Sequence, residues 1–209
     1  MKGRTAWLIT FAVAMAYLES AVVVYLRTIY YPEGFAFPLV PMPPGMLAIE
    51  LGREAATLVM LLGVAMLAGA DRWDRILVFC LSFGVWDIAY YVWLWLFLRW
   101  PPSPLTWDVL FLIPVPWIGP VIAPVMVSIV LIAGALLLWR KRARGAPIDF
   151  PQRLQLLTLA GGALVLGAFM LDSQAVVRQL QPPPFRWGLF GGGVVLAVAA
   201  LVLALRRKA

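Results

Sequence analysis

Apolar runs of 18 or more residues recur along the chain at 6–26, 46–70, 75–98, 109–139, 154–171 and 188–205. As a helix rising 1.5 Å per residue, each is long enough to cross the ~30 Å hydrocarbon core of a bilayer. The pattern therefore predicts six transmembrane helices. The longest polar connection, residues 140–153, is too short to bury a core of its own, so residues 1–209 read as one six-helix transmembrane domain. The first run also has a reading as a secretory signal, because Lys2 and Arg4 precede an apolar stretch that ends in Ala14-Met15-Ala16. Against cleavage, the apolar pattern continues through 21–26, broken only by Glu19 and Ser20.

Within these runs the polar positions are few and regularly spaced. Glu50, Arg53, Glu54 and Thr57 follow i, i+3, i+4, i+7, which puts them on one face of the second helix. Asp87, Tyr90 and Tyr91 line one wall of the third helix in the same way. Glu19 interrupts the first. Each ionisable side chain near a helix centre costs roughly 2.5–3.5 kcal/mol on insertion scales, so these four acids and one arginine together cost on the order of 12–17 kcal/mol unless they pair or meet water. A stripe of this kind cannot face lipid.

The connections are patterned too. Residues 30–45 are rich in proline and aromatics yet nearly uncharged, and read as a lid folded back onto the protein. Residues 100–120 carry Pro101, Pro102, Pro104, Pro114, Pro116 and Pro120. Irregular backbone at membrane depth is tolerated only where protein or a cavity covers it, so 109–120 reads as a broken or re-entrant start to the fourth helix, with Ser103 or Thr106 as its cap. Residues 181–186 read as a plain spacer. Ala12 and Ala16, Ala163 and Gly167, and Gly188 and Gly192 have the small-xxx-small spacing that lets helices approach closely. The Gly191-Gly192-Gly193 run lacks the strand, lysine and hydroxyl of a phosphate loop.

Composition agrees with a polytopic membrane protein: 63% of the 209 residues are hydrophobic, 13% are charged, and the mean hydropathy is +0.91. Charge then sets orientation. With the amino terminus cytoplasmic, inside segments hold 12 basic residues, among them Lys2, Arg72, Arg140, Arg153 and Lys208. The outside segments hold 4, namely Arg27, Arg99, Arg178 and Arg186. The positive-inside rule thus predicts both termini cytoplasmic in an inner, cytoplasmic membrane. It also accounts for the net charge of +7, so no nucleic-acid partner is read from that charge. The bilayer is the expected partner.

Helix arithmetic places Glu19 ~18 Å from the inner face and Glu50, Arg53 and Glu54 ~6–12 Å from the outer face. Asp87 falls near mid-depth and Asp108 at the outer end of the fourth helix. The inner half holds only mild polar groups such as Thr10, Ser82, Ser128, Gln155 and Thr158. The site is therefore expected to be one-sided and to open outward. Glu54 and Asp87, supported by Glu19 and Glu50, are the candidate acid/base groups. Arg53, Trp86, Tyr90, Tyr91 and Asp108 are the candidate ligand-binding groups. Trp93, Trp95, Trp100, Trp107, Trp117 and Trp187 read as an outer aromatic belt, and Trp7, Trp73 and Trp139 as an inner one.

One arginine neutralises one or two carboxylates, so the remaining acids must be protonated, hydrated or bound to a cation; Glu19, Glu50, Glu54 and Asp87 are the ligands for a divalent cation if one is bound. The absence of histidine excludes His-based metal sites and Ser-His or Cys-His nucleophile pairs, and the lone Cys80 excludes an intramolecular disulfide. Four function classes fit: an enzyme acting at the outer leaflet on a small or lipid-like ligand, a binding component, an ion- or proton-coupled transporter, and an accessory subunit of a larger membrane complex. A featureless inner half disfavours transport. In size, helix count and one-sided pocket the chain is similar to the substrate-binding components of energy-coupling-factor vitamin importers. That similarity is architectural, and implies the second class.

Overall fold

A computed structural model describes residues 2–207; Met1, Ala209 and Lys208, one of the basic residues counted above, lie outside it. Its elements are α1 (Lys2–Tyr30), α2 (Pro44–Ala68), α3 (Arg72–Leu98), β1 (Trp107–Phe111), β2 (Trp117–Pro120), α4 (Ile122–Ala143), α5 (Gln152–Met170), α6 (Ser173–Val177) and α7 (Trp187–Arg206). Among the described residues six helical spans are long and apolar enough to cross a membrane, the fifth running from Gln152 through α6 to Val177. The chain is a helical, multi-pass membrane protein.

Local chemistry explains where the helices begin and end. Pro44 opens α2, where its missing N–H has no partner to lose. The turn into α3 is tight: a Cβ on Gly69 would lie 2.6 Å from the Arg75 backbone. Asp71 caps α3 by accepting the Asp74 N–H at 3.1 Å, and Arg99 ends it in the left-handed region, φ 52°.

The largest departure from the expected pattern lies before α4. That helix begins at Ile122, not near residue 109, and the preceding segment is neither a broken helix nor a re-entrant one. It is an antiparallel hairpin pairing Trp107 with Pro120, Asp108 with Gly119, Val109 with Ile118 and Phe111 with Trp117. Pro114 and Pro116 cannot donate within a helix, so the chain turns between them and pairs strand to strand instead. Ser103 and Thr106 close a turn on each other, with the Ser103 N–H donating to Thr106 Oγ1 at 3.2 Å, and cap no helix.

α3 is the hub of the bundle and packs against α1, α2 and α4; α5 packs on α7, and β2 lies against α4 and α5. Ala12 and Ala16 are fully buried in this packing. Of the small residues expected at the α5–α7 approach, Gly167 faces α7 at ordinary contact distance, 3.7 Å from a Cβ there to Leu189, whereas a Cβ at Gly188 or Gly192 would meet nothing within 4 Å. The tighter contact uses Gly161 and Gly193 instead. A Cβ on Gly161 would stand 2.7 Å from the Gly193 carbonyl oxygen, and one on Gly193 would stand 2.6 Å from that of Gly161.

Buried Asp74 ties together one end of the bundle. It accepts from both Arg4 nitrogens (2.6 and 3.0 Å), from Trp139 Nε1 (2.7 Å) and from the Ala70 N–H (2.9 Å). Trp139 is therefore an internal hydrogen-bond donor, not a belt residue. Arg142 pairs with Asp71 at the same end, holding that exposed carboxyl at about 2, below its ordinary range. Lys141 donates to the Ala204 and Arg207 carbonyls there, at 2.7 and 2.9 Å.

Candidate functional site

At the opposite end, the stripes on α1, α2 and α3 face one another. They enclose a cavity of about 120 Å³, large enough for several water molecules or a small organic group. All nine residues expected at the site line it: Glu19, Glu50, Arg53, Glu54, Trp86, Asp87, Tyr90, Tyr91 and Asp108. The hairpin supplies one wall through residues 108–112. The connection after α1 closes over the top with Tyr31, Phe35, Leu39 and Met42, as a lid would.

The acids are held in three different ways. Arg53 donates to Glu50 through Nε at 2.8 Å and Nη2 at 2.5 Å, and its Nη1 meets Glu19 across the gap to α1. The Thr57 hydroxyl donates to the second Glu19 oxygen at 2.9 Å. Arg53, expected to bind a ligand, instead bridges two carboxylates and joins two helices. Glu54 is committed elsewhere, since its two oxygens accept the Leu112 N–H at 3.0 and 2.8 Å and so fix the inner end of the hairpin. Asp87 takes the Ser128 hydroxyl on one oxygen at 2.7 Å.

Two participants were missed in the sequence. By depth along the sequence Ser128 falls in the inner half, but because α4 starts at Ile122 it lies in the second turn of that helix, level with Asp87. The prolines before it carried that signal. By its position in the sequence Arg27 reads as an outer-loop charge. In fact α1 continues to Tyr30, which places Glu19, Val23 and Arg27 four apart on the cavity face, and Arg27 is 7% exposed. Its Nη2 donates to Asp108 Oδ1 at 2.9 Å, and its guanidinium lies 3.7 Å from the Trp100 ring centre and 4.3 Å from that of Phe35. Such stacking suits a delocalised, weakly hydrated cation.

The aromatic belt is correspondingly thinner than expected. Trp100 clamps Arg27; Trp93 Nε1 donates to the Val13 carbonyl at 3.1 Å; Trp117 stacks on Phe169. The 181–186 connection is more than a spacer, because Gln181 Nε2 donates to the Phe37 carbonyl of the lid at 2.5 Å and Phe185 packs edge-on to Trp107.

For a metal the donor set is poor. Among the described residues no three Asp, Glu, Cys or His side chains are grouped so as to hold an ion. Arg53 stands between Glu19 and Glu50 where a cation would have to sit. Apart from Arg53 Nη1, which meets Glu19, three buried polar atoms of the cavity wall have no hydrogen-bond partner: Asp108 Oδ2, Trp86 Nε1 and Arg27 Nη1. Buried polar atoms are rarely left unpaired, so these three mark where a ligand or ordered water belongs.

Glu54→Ala removes both oxygens that accept the Leu112 N–H and should cost about 1–3 kcal/mol. Hydrogen exchange at residues 112–113 should accelerate while exchange in α5 and α7 stays unchanged; equal protection in both proteins would show that the carboxylate does not anchor the hairpin.

Comparison with protein-family models, with curated proteins and with solved structures gives no match to this chain.

Proposed function

We propose that this chain is a membrane receptor-like binding protein that holds a small organic cation, an amine or quaternary ammonium group, in the cavity between α1, α2, α3 and the hairpin. The observation that carries this reading is the set of acceptors left over. Glu19 and Glu50 are satisfied by Arg53, and Glu54 by the hairpin backbone. Asp108 Oδ2 accepts no well-formed hydrogen bond, with the Tyr91 phenol beside the carboxylate, and Asp87 accepts a hydrogen bond on one oxygen alone. Both open into a cavity walled by Trp86, Tyr90 and Tyr91, whose ring faces attract a desolvated cation. Because Glu54 anchors the hairpin, binding rather than acid/base chemistry is the role proposed for this cavity.

The same proposal includes topology. Both termini lie on the cytoplasmic side of an inner membrane, and the cavity faces the outer leaflet. Twelve basic residues assigned to inside segments against four outside support this orientation, and the burial of Arg27 removes one of the four from the outer surface. An importer's substrate-binding component would present its ligand from the same cavity.

The test is titration of the purified protein in detergent with ethanolamine, choline and tetramethylammonium, followed by tryptophan fluorescence, since Trp86 lines the cavity. At least one should bind. Asp87→Asn should weaken binding by roughly 10- to 100-fold, the worth of a hydrogen bond to a charged group. If none of the three binds the wild type, or if Asp87→Asn binds as well as wild type, the reading is wrong.

A further inference from the structure

Arg27 looks in two directions. Together with Tyr31 and Phe35 it forms part of the inner cavity wall, and the same three residues line a second cavity of about 320 Å³ nearer the end of the bundle, bounded by Thr28, Leu98 and Trp100. Its guanidinium is held rigidly: Asp108 takes Nη2, and the Trp100 and Phe35 rings lie close to it. Nη1 is left buried, charged and without an acceptor. Asp108 Oδ1 is already taken, and Arg53, the other guanidinium of the inner cavity, is spent on Glu19 and Glu50. A second donor stands beside it. The Tyr31 oxygen accepts the Val40 N–H at 2.8 Å, which leaves the phenol O–H free to donate.

A buried guanidinium N–H with no acceptor is among the costliest vacancies a protein can hold, and an anionic oxygen is the group that fills it best. We infer that the ligand is zwitterionic: its ammonium group sits against Asp87 and Asp108, and its phosphate or carboxylate accepts from Arg27 Nη1 and the Tyr31 phenol. This inference rests on the cation-binding reading above and adds the second charge. The ion pair explains why both charges should belong to one small molecule. Asp108 and Arg27 are bonded to each other at 2.9 Å, so the groups they bind lie side by side across a single carboxylate–guanidinium contact.

The experiment compares choline, glycine betaine and phosphocholine on the wild-type protein, with inorganic phosphate as the anion-only probe. Choline carries the cation alone; the other two add a carboxylate or a phosphate. At least one zwitterion should bind roughly 10- to 100-fold tighter than choline, the increment of one charge-assisted hydrogen bond. In Arg27→Gln the preference of zwitterion over choline should vanish, whatever the affinity for choline itself, because Asp108 also loses its partner there; if that variant fails to fold, Tyr31→Phe should narrow the preference and the wild-type comparison stands by itself. Equal affinity for choline and both zwitterions in the wild type would overturn the inference, leaving water as the partner of Nη1, without touching the cation site. Binding of inorganic phosphate but of none of the three organic probes would overturn both. The source of the ligand is read by competition: phosphatidylcholine nanodiscs that displace bound phosphocholine point to a lipid headgroup, and nanodiscs that leave it bound point to a free solute.

Discussion

Arg53→Met should lower the stability of the protein by about 3–5 kcal/mol, the cost of removing one partner from a buried ion cluster. The residue is 20% exposed at its side chain, and Glu19 and Glu50 are 11% and 9% exposed, so neither acid can turn to bulk water when the guanidinium is lost. Two carboxylates on neighbouring helices would then face each other across the α1–α2 gap, with Thr57 as the one remaining donor. Thermal unfolding in detergent, followed by near-ultraviolet circular dichroism, measures the loss. Adding Glu19→Gln and Glu50→Gln to Arg53→Met should recover a large part of it, since the uncompensated charge is gone. An Arg53→Met protein as stable as wild type would mean that the cluster holds nothing together.

The second large effect belongs to the α5–α7 contact. Gly161→Leu places a side chain where the Gly193 carbonyl already stands, and backbone cannot rotate aside as a flexible side chain can. Overpacking of this kind typically costs about 1–3 kcal/mol, and more where neither neighbour yields. Gly162→Leu is the internal control, because a Cβ there meets nothing within 4 Å. The first variant should unfold at lower temperature and the second should match wild type. If both behave alike, the close approach of α5 and α7 is not what Gly161 provides.

The six spans were legible because length and apolarity decide membrane crossing almost alone, and the acid-bearing stripes were legible because 3.6-residue periodicity puts 50, 53, 54 and 57 on one face whatever surrounds them. What could not be read were partnerships formed at long range. Nothing local to Glu54 shows that its carboxylate receives the backbone of Leu112, 58 residues away. Arg27 was misplaced because a basic residue near a predicted helix end looks the same whether it meets water or folds under a lid. Its stacking on Phe35 and Trp100 depends on two separate connections. Ser128 was misplaced for a different reason: residues 109–120 are apolar enough to pass for helix, and only the pairing of Val109 with Ile118 distinguishes strand from span. The glycine contact was misassigned because spacing identifies faces that are small, whereas packing selects the one that meets a partner.

The order in which the chain is made adds a consequence to the way the acids are held. Glu50 enters the membrane with its counter-charge three residues behind it on the same helix, and Glu19 needs to wait only for that helix. Glu54 and Asp87 are synthesised well before Leu112 and Ser128, the groups that donate to them. A nascent chain of three helices therefore carries two acids with no mates. Arrival of the hairpin and α4 is the step that makes the first half of the protein at home in lipid.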